Sequence, residues 1–83
     1  MELQGKWTRA LGYYDDIIKF HADDILADDA LFRSAELSEE KLLNEQEALD
    51  RYKRLLLEHP SSLYGHEARK RVRILRGEKP PAP

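Results

Sequence analysis

The chain of 83 residues contains no cysteine, so neither a disulfide nor a thiolate metal site can staple it. Glycine and proline are scarce, four of each, and Pro80, Pro81 and Pro83 crowd the C-terminus, so Pro60 alone interrupts the body of the chain. Glycine this sparse leaves no phosphate-cradling G-x-x-x-x-G-K loop. No G-x-S-x-G nucleophile elbow surrounds any serine. Apolar runs are short, Leu55-Leu56-Leu57 being typical, far below the roughly 20 residues that a membrane-spanning helix needs. Met1-Glu2-Leu3-Gln4-Gly5-Lys6 leads into no apolar stretch of the signal-peptide kind. The length bounds the chain to one domain with a modest core.

Charge is abundant and unevenly spread. Residues 1–50 carry 13 acidic and 5 basic side chains, a net of −8, and residues 51–83 carry 3 acidic and 9 basic, a net of +6, summing to the overall −2. A dipolar chain of this kind can steer charged partners; equally, both blocks can be solvated helix faces.

Apolar residues recur at helical steps of three and four in four segments. The first, about 5–20, puts Trp7, Ala10, Leu11, Tyr14, Ile17 and Ile18 on one face. The second, about 25–42, carries Leu26, Ala30, Leu31, Ala35 and Leu42. The third, about 45–58, carries Ala48, Leu49, Tyr52, Leu55 and Leu56, and the fourth, about 63–75, carries Tyr64, Ala68, Val72 and Leu75. Each stripe needs a neighbour to cover it. Asp24 and Ser62 are expected to cap the second and fourth helices, with Asp28 and Asp29 complementing the dipole of the second. Asn44 is expected to take a left-handed turn. Pro60 ends the third helix and pushes His59 towards extended geometry. Gly77 suits the position after the last helix, and residues 78–83 read as a proline-rich disordered tail after a helical domain of residues 1–77.

The chain resembles itself at an offset of 38 residues: Ala10 meets Ala48, Leu11 meets Leu49, Tyr14 meets Tyr52, and His21 meets His59. Ala30 meets Ala68, Arg33 meets Arg71 and Leu37 meets Leu75, while Ile17, Ile18 and Ile25 meet Leu55, Leu56 and Leu63. The correspondence keeps the helical stripe and runs through the loop into the next helix. A helical hairpin that cannot bury its stripe alone stacks on a second one. The expectation is all-α: four antiparallel helices in two stacked hairpins.

The spacing Ala48, Tyr52, Leu55, Pro60 resembles the tetratricopeptide repeat, which carries a small residue, then an aromatic, an apolar residue and a proline at those steps. Gly5-Lys6-Trp7-Thr8-Arg9-Ala10 is similar to the family's Gly-x-aromatic-x-x-Ala approach to the small residue. The loop Glu58-His59-Pro60-Ser61-Ser62, followed by Ala68, looks like that of bacterial envelope members such as outer-membrane-assembly lipoproteins and cell-division coordinators. The first unit departs from the pattern, with Ala22 where Pro60 stands in the second, and the offset exceeds the usual 34 residues. The resemblance implies a repeat core of Trp7, Ala10, Leu11, Tyr14, Ile17, Ala48, Leu49, Tyr52, Leu55, Pro60 and Ala68. It implies a protein-binding scaffold or adaptor with protein partners and no catalysis. The compartment is periplasmic or envelope-associated if the bacterial likeness holds and cytoplasmic otherwise. The motif phase implies that the chain begins in mid-repeat and forms the C-terminal part of a longer protein. An uncovered first stripe then implies a homo-oligomer.

Candidate chemistry is thin. His21 and His59 occupy equivalent loop positions, and His66 supplies no facing partner for a zinc site. Asp23, Asp24, Asp28 and Asp29 lack the alternating ligands, glycine and final glutamate of a calcium loop. No metal, cofactor or catalytic residue is assigned. Two groups remain as candidate partner-binding residues: Tyr13, Phe20 and Phe32 beside the stripes, and Arg69, Arg71, Arg73 and Arg76 on the fourth helix. The arginines suit an acidic protein, or nucleic acid as the alternative reading, or solvation alone.

Overall fold

The computed structural model describes residues 2–22 and 25–77. Four helices follow one another: α1 Glu2–Phe20, α2 Ile25–Glu40, α3 Glu45–Glu58 and α4 Gly65–Leu75. No strand occurs among the described residues. Each helix packs on the next, α1 on α2, α2 on α3 and α3 on α4. Side-chain bonds also join alternate helices, Asp15 of α1 to Arg51 of α3 and Glu39 of α2 to Arg71 of α4. The result is a two-layer slab of 38 × 34 × 17 Å. It is the all-α arrangement of stacked tetratricopeptide-like hairpins.

The core lies where α3 meets α2. Ala48, Tyr52 and Leu55 are 0%, 1% and 0% exposed. The small side chain of Ala48 lets the helix backbones approach, and the Tyr52 ring fills the space one turn on. Around them lie Ala30, Leu31, Phe32, Ala35, Ala68 and Val72, all buried. Leu49 flanks this cluster, half-buried. The equivalent residues of α1 are less covered: Trp7, Ala10, Leu11, Tyr14 and Ile17 are half-buried, and Ile18 alone of that face is buried. Equal spacing thus carries unequal burial, because α3 lies between two helices while α1 packs on one. Pro60 also stays out of the core; it ends α3 on an exposed turn.

The helix ends differ in detail from the sequence reading. His59, the C-cap of α3, has φ −133° and donates its N–H to the Leu55 carbonyl at 2.8 Å, as its place before proline dictates. The left-handed residue between α2 and α3 is Leu43, at φ 53°, not Asn44. Asn44 instead caps α3, its side chain accepting from the Glu47 N–H at 3.2 Å. Its own N–H donates to the Ser38 carbonyl at 2.8 Å, closing the end of α2. Ser62 does not cap α4, which begins only at Gly65, with Tyr64 at the N-cap making no side-chain bond. The Ser62 hydroxyl accepts from the Tyr64 N–H at 3.1 Å and donates to Asp28 at 2.5 Å. A tertiary acceptor has captured the group that local chemistry would have used for a cap. Gly77, at φ 85°, stands just past α4 as expected. The expected cap Asp24 and the tail 78–83 lie outside the described residues.

Urea melts separate the two seams. Ala48→Leu overpacks the α2–α3 contact and lowers stability by about 1–3 kcal/mol, whereas Ala10→Leu, on the half-open α1 face, shifts it by less than about 0.5 kcal/mol. Equal losses at the two sites would show that the seams are equally covered. Leu43 is exposed and left-handed, so Leu43→Gly raises stability by roughly 0.5–1 kcal/mol.

Candidate interaction surface

Two polar clusters hold the helices in register. Arg51 of α3, its side chain 11% exposed, binds Asp15 of α1 at 2.6 Å, Glu47 of its own helix at 2.9 Å and the Ser34 hydroxyl of α2 at 3.0 Å. Ser34 is fully buried and donates to the Leu31 carbonyl at 2.9 Å. In the second cluster Glu39 of α2 accepts from the Tyr52 hydroxyl at 3.0 Å and pairs with Arg71 of α4. The α3–α4 turn closes against the start of α2. Tyr64 donates its hydroxyl to Asp29 at 2.5 Å, and its ring stacks on Phe32 with centroids 4.6 Å apart. Asp28 and Asp29 therefore do more than complement a helix dipole: they hold the next hairpin's turn in place.

This arrangement reassigns two candidates. Phe32 cannot line an open groove, because it is buried between Tyr64 and Tyr52, whose ring it meets edge-on at 5.9 Å. Arg71 is engaged by Glu39. Arg69 and Arg73 are exposed, as is Arg76 at the C-cap of α4.

At the offset of 38, Arg69, Arg73 and Arg76 correspond to Leu31, Ala35 and Ser38 of α2, all fully buried. On α2 that row is covered by neighbouring helices. On α4 the same row is cationic and exposed.

The α1 edge has the opposite character. Ala10, Tyr13, Ile17 and Phe20 run along one side of the helix at steps of three and four, with Tyr14 beside them. Tyr13 is 65% and Phe20 68% exposed. Tyr13 meets Tyr14 edge-on at 5.8 Å, and Lys19 lies 5.3 Å over the Phe20 ring. Trp7, at the α2 side of this face, sits between Lys6 at 5.6 Å and Lys41 at 5.3 Å. Ala10, Tyr14 and Ile17 correspond to Ala48, Tyr52 and Leu55, the deepest residues of the core. The edge therefore displays, partly uncovered, the residue pattern that α3 buries against α2.

A tetratricopeptide repeat family model matches residues 29–62, less than half of the chain. The matched segment covers most of α2, all of α3 and the turn to Ser62. No curated protein and no solved structure matches the chain. Among the described residues no group of three or more His, Asp or Glu side chains is placed to hold a metal ion. No helix among them is long and apolar enough to cross a membrane.

Burial raises the Glu36 carboxyl above its usual range; the nearby Glu40 adds to the shift, Arg33 opposes it, and Glu67 and Arg71 raise and lower it more weakly. Burial likewise raises the Tyr52 hydroxyl, with help from Glu36, Glu40 and Glu67. A carboxyl raised in the folded state binds its proton more tightly there than in the unfolded chain. Its stabilising contribution is present in acid and is lost as pH rises through the unfolded and then the folded value. Glu36→Gln, which mimics the protonated form, is therefore expected to raise the urea midpoint at about pH 7 and to leave it nearly unchanged below about pH 4. A midpoint gain of equal size at both pH values would show that the Glu36 charge is not its cause.

Proposed function

We propose that the chain is a protein-interaction module of the adaptor or scaffold kind, and that its α1 edge is the binding surface. Tetratricopeptide repeats are in general protein-binding units without catalytic machinery of their own, and the matched segment supports that class. The observation that carries the choice of surface is the pairing of Ala10, Tyr14 and Ile17, half-buried on α1, with Ala48, Tyr52 and Leu55, fully buried on α3. A partner helix seated on α1 would bury the same pattern that α2 buries on α3. Aromatic side chains with this much exposed area are the usual anchors of such contacts.

The nucleic-acid alternative draws less support. Arg71 is held by Glu39, and the exposed Glu67 interrupts the basic surface of α4. The likeness of the Glu58–Ser62 loop to those of bacterial envelope proteins extends the proposal to assembly work at the cell envelope.

The experiment compares the intact chain with a Tyr13→Ser/Phe20→Ser variant of unchanged melting temperature, with partner recovery from the source cell measured by quantitative mass spectrometry. Partners retained by the native chain and reduced at least about tenfold by the variant, a change of about 1.4 kcal/mol, support the reading. Equal recovery by both overturns the assignment of α1.

A further inference from the structure

We propose that the α1 edge is a self-recognition surface, on which a second copy of the chain docks its own α1 antiparallel about a two-fold axis. The inference names the partner of the surface assigned above and rests on that assignment. The two edges of the slab decide first what a second copy can do. Head-to-tail stacking would lay the α4 row that holds Arg69 and Arg73 on Tyr13, Ile17 and Phe20. That contact would strip water from guanidinium groups over an apolar row whose one carboxylate unpaired among the described residues, Asp16, lies at its margin. An α1–α1 contact has no such penalty, because a two-fold axis presents the same apolar face from both sides.

The sequence of α1 then selects the direction. Ala10, Tyr13, Ile17 and Phe20 follow the alternating three- and four-residue steps of a helix–helix seam. Helix α1 runs Glu2–Phe20, and an antiparallel pair centred near its middle sets Ala10 of one copy against Tyr13 of the other, small against large. The same register sets Lys6 against Ile17, so the lysine stem covers the apolar side chain and the ammonium reaches water. It also brings Arg9 of each copy beside Asp16 of the other. Arg9 and Asp16 are exposed, and neither has an ion-pair or hydrogen-bond partner among the described residues. In a parallel pair the two Arg9 side chains, like the two Asp16 side chains, lie on opposite sides of the seam, so the Arg9–Asp16 pairs do not form. Charge thus favours the antiparallel register twice over, once at each end of the contact.

The test uses the intact chain in sedimentation and light scattering across the micromolar range, since one helix face makes a small interface and a weak dimer. The native chain is expected to move from the 9.7 kDa protomer to twice that mass as concentration rises. Arg9→Glu alone and Asp16→Arg alone are each expected to stay monomeric. Mixed together they are expected to form a heterodimer. At one end of that contact the introduced carboxylate faces the introduced guanidinium, and at the other the native Asp16 faces the native Arg9. Unchanged melting of each variant by circular dichroism shows that the fold is intact, as the exposure of both side chains leads one to expect. A native chain that stays monomeric overturns the proposal, and so does a dimer indifferent to both charge reversals. If that monomer still captures another protein through Tyr13 and Phe20, the second copy is the wrong occupant and the interaction surface stands. If it captures nothing there, the surface assignment fails as well.

Discussion

The close approach of α3 to α2 at Ala48 is the contact on which the rest depends. With a larger side chain there, Tyr52 would not reach between the helices, and its hydroxyl would not meet Glu39 at 3.0 Å. Glu39 in turn receives Arg71, so the position of α4 is tied to the same contact. Phe32 packs its ring between Tyr52 and Tyr64 and so carries the contact into the α3–α4 turn. A short chain has few places to bury area. Here most of the fully covered side chains gather on one helix, α2, which meets α1 and α3 with its faces and α4 through side chains.

The lopsided charge of the sequence acquires a different meaning in this frame. Asp15, Asp28, Asp29, Glu39 and Glu47 come from the acidic first part of the chain, whereas Arg51, Ser62, Tyr64 and Arg71 come from the later part and bind them. Much of the dipole is therefore satisfied inside the protomer, between consecutive hairpins. Donors on α3, α4 and their turn meet acceptors on α1 and α2, and Glu47 on α3 itself. Arg51, its side chain less exposed than that of Arg71, has three oxygen partners instead of being left unpaired in the core.

The four helices, their order and the repeat were legible because they follow from local spacing, and the observed ends fall within a few residues of the expected ones. What escaped the sequence was set by neighbours. Tyr14 and Tyr52 share a spacing, and only the latter is enclosed. A single-stripe reading left Phe32, Ser34 and Ser38 off the core face, because it allows each helix one covered side. Helix α2 is covered on several, which brings in Phe32, Ser34 and Ser38; the last keeps a buried hydroxyl with no hydrogen-bond partner among the described residues. Arg51 and Asp15 stand 36 positions apart, and no local pattern marks them as partners. Of the candidate surface residues, Tyr13 and Phe20 are exposed, Phe32 is interior, Arg71 is ion-paired, and Arg69, Arg73 and Arg76 are exposed.

That division is itself informative about how such a slab can grow. In a stack of like helices, each new unit is admitted by an apolar row on the edge before it. On α2 that row reads Leu31, Ala35, Ser38 and is closed over by its neighbours; on α4 the corresponding positions read Arg69, Arg73, Arg76. The substitution leaves the helix intact, since Ala68 and Val72 still face α3 and are buried, and it removes the adhesive from the opposite side only. The α1 edge keeps Ala10, Tyr14 and Ile17 in the places where α3 carries its most deeply buried residues. One edge of the slab is thus partly apolar and the other charged. If α1 is the binding surface proposed above, this polarity would confine association to that one edge.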